Sequence, residues 1–435
     1  MTTRIPPELI FHIVGFLQDS KPDLVACSLC CSALATVTRP LLFHTLRTNL
    51  DSGAAERFEC LLESGPEVLT LIKRIDVDIS DFEPDVNYRT IAAVSQTMAS
   101  HPIQRTPPTL GIAIQAGGRS SRWFSRQLLS CLNPVIHRVT SLYLAFDFIA
   151  AVQFWDFVLE FPRLKSLTLG HIRLITGVRA PFHRESEISH ITLKETALSS
   201  DARWFLSDHL LPLPSLTSLD VRFPTNFRTP RRLAEPHAST VRTLRFGMPI
   251  IPSPATSWNK LGDPRKFWVI NPVCYVTLTP PVKAIAEFIS QFTNLETLTF
   301  QGLFAPRLRV QQSPFTLEWI PVALSAVSSA LRKLTMEVVA GHLSYLDIIP
   351  WSAVDERLAH QLQSVTVVEV LVATPAGVNY LLDNVPQEME KRLPLAARRG
   401  VLRCSAVSEH PHDNIWCVFP RFFAPADILS HSNYL

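Results

Sequence analysis

Glycine is scarce in this chain. Fourteen glycines stand against 34 prolines in 435 residues, which describes many short elements ended by proline. No glycine-rich phosphate loop, nucleophile elbow or metalloprotease helix occurs in the sequence, so those chemistries have no motif to rest on. No apolar run approaches the ~20 residues that span a bilayer. Arg4, Glu8 and His12 interrupt the first apolar stretch, unlike a signal peptide. Neither sign of charge is in excess: 41 basic and 38 acidic residues leave a formal +3. That balance gives no reason to expect nucleic acid or an anionic membrane as partner. The eight cysteines are too scattered for a secreted disulfide scaffold, and reduced thiols in the cytoplasm or nucleus suit them best.

What the chain does have is apolar content and period. Apolar residues make up 47%, ample for a core and contrary to wholesale disorder. The length allows two or three domains or one long array. The unit apolar-x-x-apolar-x-apolar occurs from Ile72, Val139, Leu164, Ile188, Leu216, Val241, Val273, Leu295, Leu331 and Leu362, with a weaker copy at Leu110-Ile112-Ile114. The starts at 139, 164, 188, 216 and 241 are 25, 24, 28 and 25 apart, and the later ones are stretched. The alternating last positions mark a short strand with one buried face. Helical patterns separate the copies, over 54–62, 87–99, 121–132, 150–160, 201–211, 282–292, 321–331 and 355–363. Each strand has open edges and an apolar side it cannot bury alone. Stacking the copies into a parallel sheet with helices outside solves both problems. The expected fold class is therefore α/β, a repeat array over 51–375 with parallel strands on one face and helices on the other.

Period and pattern over about 70–370 resemble the irregular leucine-rich-repeat region found in fungal F-box proteins. The chain departs from that family where asparagine normally follows the third apolar residue. Asp147, Ile172, Thr196, Pro224 and Leu303 stand there instead, so the turns must be held in another way. Pro249–Pro272, with Trp258, Phe267 and Trp268, reads as an excursion from the array. Residues 376–435 read as a capping segment, with short helices near 378–382 and 387–397 and one more strand after Arg399-Gly400-Val401-Leu402.

Residues 1–50 differ from the rest. Pro6 and Pro7 suit the start of a helix, and Leu9, Ile13, Phe16 and Leu17 recur at helical spacing. Lys21-Pro22-Asp23 reads as a turn, with Asp23 as N-cap of a second helix that carries Leu24, Cys27, Cys31 and Leu34 on one face and ends at Pro40. A hairpin this short cannot hold a core of its own. It leans either on a partner or on its own chain.

Ile5-Pro6-Pro7-Glu8-Leu9-Ile10, Leu17, Lys21-Pro22, Cys27-Ser28-Leu29, Cys31 and Leu42-Phe43 resemble an F-box, in the abbreviated form common in mushroom-type fungi. The resemblance covers about a tenth of the chain. It implies docking onto the Skp adaptor of a cullin ubiquitin ligase of the SCF type, with Pro6, Pro7, Leu9, Ile13, Leu17, Leu29 and Leu34 as contacts. The rest of the chain would then hold a protein substrate, and Tyr143, Lys165, Thr168, Arg222, Arg245 and Thr299 on the strand face are the candidate contacts. No catalytic residue, metal or cofactor is implied. The alternative is a non-catalytic repeat scaffold whose hairpin no longer serves a ligase. It draws on Leu34, where the family often has Trp, and Ser32, where a basic residue is usual.

Other clusters read as packing or surface. Cys27-x-x-Cys30 has no second pair at zinc spacing. His410-x-His412 with Cys417 reads as a loop near the C-terminus. His171, His183 and His190 have no matched nucleophile, and Glu185 and Glu187 read as solvated.

Overall fold

The chain is described by a computed structural model that covers residues 6–17, 20–48, 60, 68, 71–78, 84–100, 110–115, 124–145, 148–170, 174–176, 186–194, 213–222, 228–247, 282–304, 317–340, 342–374 and 380–408. The fold is α/β with parallel strands, and contacts divide it into two compact units, 1–216 and 217–435. The expected helices over 54–62 and 201–211, the Pro249–Pro272 excursion and the copy at Val273 lie outside the described residues. So do His171, His183, Glu185, His410, His412 and Cys417.

The first unit begins with three helices, α1 (Pro7–Gly15), α2 (Lys21–Cys30) and α3 (Ser32–Leu42). This corrects the two-helix expectation. Lys21 and Pro22 form the first turn of α2 rather than a preceding turn, and Ser20, not Asp23, stands at the N-cap. Cys31 is extended (φ −163°, ψ 164°) and separates α2 from α3. The face expected to run from Leu24 to Leu34 is therefore split between two helices. Pro40 lies inside α3. It removes the amide that would donate to the carbonyl of Thr36, and the helix ends two residues later at Leu42.

The strands of this unit are β1 (Thr45–Thr48), β2 (Arg74–Asp78), β3 (Leu110–Gln115), β4 (Val139–Ala145), β5 (Phe148–Ala150), β6 (Ser166–Leu169), β7 (Leu174–Thr176) and β8 (His190–Leu193). β1, β2, β3, β4, β6 and β8 pair in that order, all parallel. β5 and β7 form a separate parallel ribbon just past β4 and β6. Neither β1 nor this ribbon was expected from the motif. Ile75, Val77, Ile112, Ile114, Leu142, Leu144, Leu167, Leu169, Ile191 and Leu193, the apolar positions of the repeat, are all buried. The helices α4 (Pro84–Ser100), α5 (Phe124–Leu132) and α6 (Ala151–Leu159) bury Met98, Leu128, Phe154 and Phe157.

The second unit repeats the arrangement. β9 (Ser218–Val221), β10 (Thr243–Gly247), β11 (Thr297–Phe304), β12 (Lys333–Val339), β13 (Val367–Thr374) and β14 (Leu402–Ser408) pair in sequence order, all parallel. Their inner face meets helices through aromatic rings. Phe246 of β10 lies 6.1 Å from Phe288 of the helix Val282–Ser290 and 5.9 Å from Trp319 of the helix Trp319–Ser325. Phe300 of β11 meets Trp319 edge-on at 5.3 Å, a favoured ring geometry.

One expectation changes here. The last copy is displaced. Lys333 pairs with Val367 and Leu334 with Val368, so the structural repeat is Val365-x-x-Val368-x-Val370, three residues beyond the one starting at Leu362. The error has a simple cause. In four of the repeats a turn places one more apolar residue three positions earlier. Phe161, Leu213, Phe292 and Leu362 are all buried there, and the amides of Leu164, Leu216 and Val365 donate back to the carbonyls of Phe161, Leu213 and Leu362.

In place of an asparagine ladder, the main chain ties one turn to the next. The carbonyl of Lys165 accepts from the amides of Ser189 and His190 at 2.9 and 3.0 Å. His44, Thr217, Arg242, Glu296 and Arg332 each accept two successive amides in the same way. Leu303, one expected asparagine position, is buried. It follows Gly302, whose φ of 66° suits the register shift in β11 between Phe300 and Leu303.

The C-terminal strand follows Gly400, as expected, after the helices Tyr380–Arg392 and Pro394–Arg398. Gly400 (φ 68°) ends the second of these helices in a Schellman turn, with its amide on the Ala397 carbonyl and that of Val401 on Ala396. Asp355, buried in the helix Trp351–His360, accepts the amides of Leu395 and Ala396 at 2.7 and 2.9 Å. Arg399 donates to the carbonyls of Leu358, Gln363 and Val365. Asp355→Ala leaves two amides without their charged acceptor and should cost about 2–3 kcal/mol, read as a lower midpoint in urea unfolding. Burial lowers the pKa of His237 below the ordinary histidine value. The unfolded chain then binds a proton that the folded chain resists, so stability is full above about pH 6.5 and falls as pH drops. His237→Phe should flatten that decline in thermal melts, with its effect confined to the acid side.

Candidate partner-binding surfaces

The three N-terminal helices share a small core. Val14, Leu24 and Val37 are buried at its centre, and Ile10, Leu17, Leu34, Leu41 and Leu42 pack around them. The remaining apolar side chains point elsewhere. Among the described residues, six of the seven exposed large hydrophobic side chains fall between positions 9 and 29: Leu9, Phe11, Ile13, Phe16, Val25 and Leu29. Leu29 is 81% exposed and Phe16 76%. The edge of the Phe16 ring meets His12 at 5.1 Å. Scattered exposed apolar residues are ordinary, but a concentration of this kind is a candidate interaction surface.

The structure therefore divides the expected docking residues. Leu9, Ile13 and Leu29 are exposed, as is Pro6. Leu17 and Leu34 instead support the hairpin from within. Pro7 lies in the first turn of α1. Phe16, read at helical spacing with Leu9 and Ile13 but not as a contact, belongs to the exposed set, and so do Phe11 and Val25, which were not singled out from the sequence. Only Phe16 shares helical spacing with Leu9 and Ile13; Phe11 lies two residues from each of them and Val25 is on α2, so spacing gave no signal for those two.

On the strand face of the first unit, Tyr143 of β4 is opposite Thr168 of β6, and Thr168 is opposite Thr192 of β8. The Tyr143 ring reaches past Gly170 toward β8. A Cβ on Gly170 would sit 2.6 Å from the Tyr143 hydroxyl and 2.8 Å from Ala145 Cβ. The ammonium of Lys194 lies 5.3 Å from the ring centroid, within cation–π range. Lys165 precedes β6 and is exposed.

On the strand face of the second unit, Asp220, Arg245, Thr299, Thr335, Glu369 and Arg403 form one cross-strand row over β9–β14. Arg245 reaches over Thr299 to Glu337 at 2.6 Å. Arg222 pairs with Asp220 at 2.9 Å, and Gln301 donates to the other oxygen of Asp220 at 2.9 Å. Lys333 pairs with Glu369 at 2.7 Å. That hydrogen bond is the main reason the Glu369 carboxyl lies below its ordinary pKa, with Thr335 and the charge of Arg403 adding to it against burial. Of the expected substrate contacts, Arg222 and Thr299 are buried, whereas Arg245 is partly open. Their carboxylate partners Asp220, Glu337 and Glu369 were missed. They occupy the polar positions between the apolar ones of each repeat, where alternation alone could have placed them.

Chemistry by metal or thiolate has little support in the described residues. No group of three His, Cys, Asp or Glu among them could hold a metal ion. Burial pushes the Cys404 thiol up to about 12 and raises that of Cys131, so neither is a ready nucleophile. No helix among the described residues is long and apolar enough to cross a membrane. No family model matches the chain, and no curated protein matches it.

The division of the hairpin has a direct test. Leu34→Ala should destabilise the helical segment by about 1–2 kcal/mol, below the cost at a fully buried site. Leu29→Ala should change stability by less than about 0.5 kcal/mol. Hydrogen exchange of the α1–α3 amides separates the two outcomes.

Proposed function

We propose that this chain is a non-catalytic recruiting adaptor. Its N-terminal helices act as an F-box that docks the Skp adaptor of an SCF-type cullin ubiquitin ligase. The strand–helix repeats form a leucine-rich-repeat-like solenoid that holds a protein substrate. The observation that carries this reading is the gathering of Leu9, Phe11, Ile13, Phe16, Val25 and Leu29 in exposed positions on one short helical segment. A face of that kind costs solubility unless a partner covers it. Leu17 and Leu34 then serve the docking indirectly, by holding the helices that present it.

In this reading the chain makes and breaks no bond. Its contribution is effective concentration, because a substrate held near the transferring enzyme reacts as if tethered to it. The continuous parallel pairing within each unit makes the substrate-bearing surface stiff. The reading places the protein in the cytoplasm or nucleus, where that ligase operates and its thiols stay reduced.

The experiment is co-purification of the full chain with the Skp adaptor. The wild type should form a complex at micromolar concentration, and a triple variant, Leu9→Glu, Ile13→Glu and Leu29→Glu, should lose it by at least about a hundredfold, since buried charges at an interface core cost several kcal/mol. Circular dichroism melts of the variant should match the wild type, because all three side chains are exposed. A complex that survives the triple variant removes this docking face. No complex with the wild type favours the scaffold reading, to which Ser32 and Leu34 point.

A further inference from the structure

We propose that Cys27 and Cys30 form a redox modification site: a peroxide closes a disulfide between them at the end of α2 and weakens the docking face beside it, an effect on docking that rests on the recruiting role above. Of the six cysteines among the described residues, three fall between positions 27 and 31: Cys27, Cys30 and Cys31. Cys30 and Cys31 are exposed, and Cys27 is half-buried. Leu29, the most exposed of the docking side chains, lies between Cys27 and Cys30.

Helix geometry selects the pair. Residues three apart in a helix share a face and have Cα atoms about 5 Å apart, inside the range of about 4.4–6.8 Å that disulfides span. Cys27 and Cys30 both lie in α2. A helical side chain leans over the preceding turn, and the Cys30 thiol does so here, donating to the carbonyl of Ala26 at 3.3 Å. Its sulfur is thereby held over the turn that carries Cys27. Cys31 suits neither of them. Its peptide bond to Cys30 is trans, so the two Cα atoms are about 3.8 Å apart, too close for an ordinary bridge. Its extended backbone (φ −163°, ψ 164°) takes it off the helical path that would bring it over Cys27. No third group among the described residues joins these thiols to hold a metal.

The oxidant is hydrogen peroxide. The exposed Cys30 sulfur attacks one peroxide oxygen and the O–O bond breaks, giving a sulfenic acid on Cys30 and one water. The Cys27 sulfur then attacks the Cys30 sulfur. The S–O bond breaks, and the leaving hydroxide takes the Cys27 proton as a second water. Two electrons pass from the two sulfurs to the peroxide. In a reducing compartment such a bond is transient, as redox-sensing disulfides are. Closing it brings the two Cβ atoms to about 3.8 Å, from about 5–6 Å in a regular helix. The last turn of α2 has to tighten, and helix ends yield most readily. Leu29 is inside the closed loop and moves with it, and the joint to α3 begins at the next residue, Cys31.

The test uses the full chain, fully reduced and then given an equimolar amount of hydrogen peroxide. Mass spectrometry after alkylation of the remaining thiols should find Cys27 joined to Cys30 in the wild type and in Cys31→Ser, and no such bridge in Cys27→Ser or Cys30→Ser. Serine at position 30 keeps a donor for the Ala26 carbonyl, which guards the helix. Hydrogen exchange of the amides at the end of α2 should rise in the bridged wild type. Affinity for the Skp adaptor should fall at least about tenfold on oxidation and return with dithiothreitol, whereas Cys27→Ser/Cys30→Ser should change by less than about twofold under the same peroxide. A bridge through Cys31, a bridge between two chains, or oxidation of Cys30 to sulfinic acid without a bridge overturns the proposal. So does a bridged protein whose α2 exchange and adaptor affinity match the reduced form. If the reduced wild type fails to capture the adaptor, the ligase role falls alone, and bridge formation with raised exchange in α2 still decides the redox site.

Discussion

The repeats depend on a single main-chain carbonyl per turn. It belongs to the residue that follows the first apolar position of the motif, and it accepts two successive amides from the turn that comes after, as Lys165 does from Ser189 and His190. A parallel strand cannot reach its neighbour through a tight hairpin, so each crossover must be brought back to a defined register. The paired amides set that register before the strand begins. The apolar residues then fall on one face without further instruction. This is how the turns hold together with Leu303 buried where a hydrogen-bonding asparagine was expected.

Because the inner face is specified so strictly, the outer face is left to vary. In the second unit it carries salt bridges within a strand, between neighbouring strands and, from Arg245 to Glu337, across one. These brace the sheet laterally, while Arg332 and Arg403 stay exposed. In the first unit the same positions hold hydroxyls and an aromatic ring laid over Gly170. The N-terminal helices depart from both patterns, with apolar side chains on the outside and a core of three buried residues.

Much of the fold was legible in the spacing of apolar residues. Ile75 and Val77, Leu142 and Leu144, Leu298 and Phe300 all occupy inner positions of parallel strands, as the motif implied. It failed where a second signal overlapped the first. Leu362 satisfies the pattern because the preceding turn also needs a buried apolar residue, so two frames fit one stretch. The break at Cys31 escaped notice because small residues continue through it and no proline or glycine marks it. Exposure was the least legible property. Leu17 and Leu29 look alike in a helical pattern, and only the crossing of α1, α2 and α3 decides which of them faces inward. Contacts between strands two places apart, such as the hydrogen bond that Gln301 donates to Asp220 or the ion pair of Arg245 with Glu337, need the register as well as the pattern.

The length of chain between tied turns varies widely. Contacts that close successive turns span 24 residues from Lys165 to Ser189, 34 from Arg332 to Thr366 and 54 from Arg242 to Glu296. Closing a longer loop costs only about 0.6 kcal/mol for each doubling. Crossovers can thus gain or lose segments while the pitch of the sheet is preserved. Such a molecule is free to diversify its rim by insertion and deletion while its frame stays unaltered.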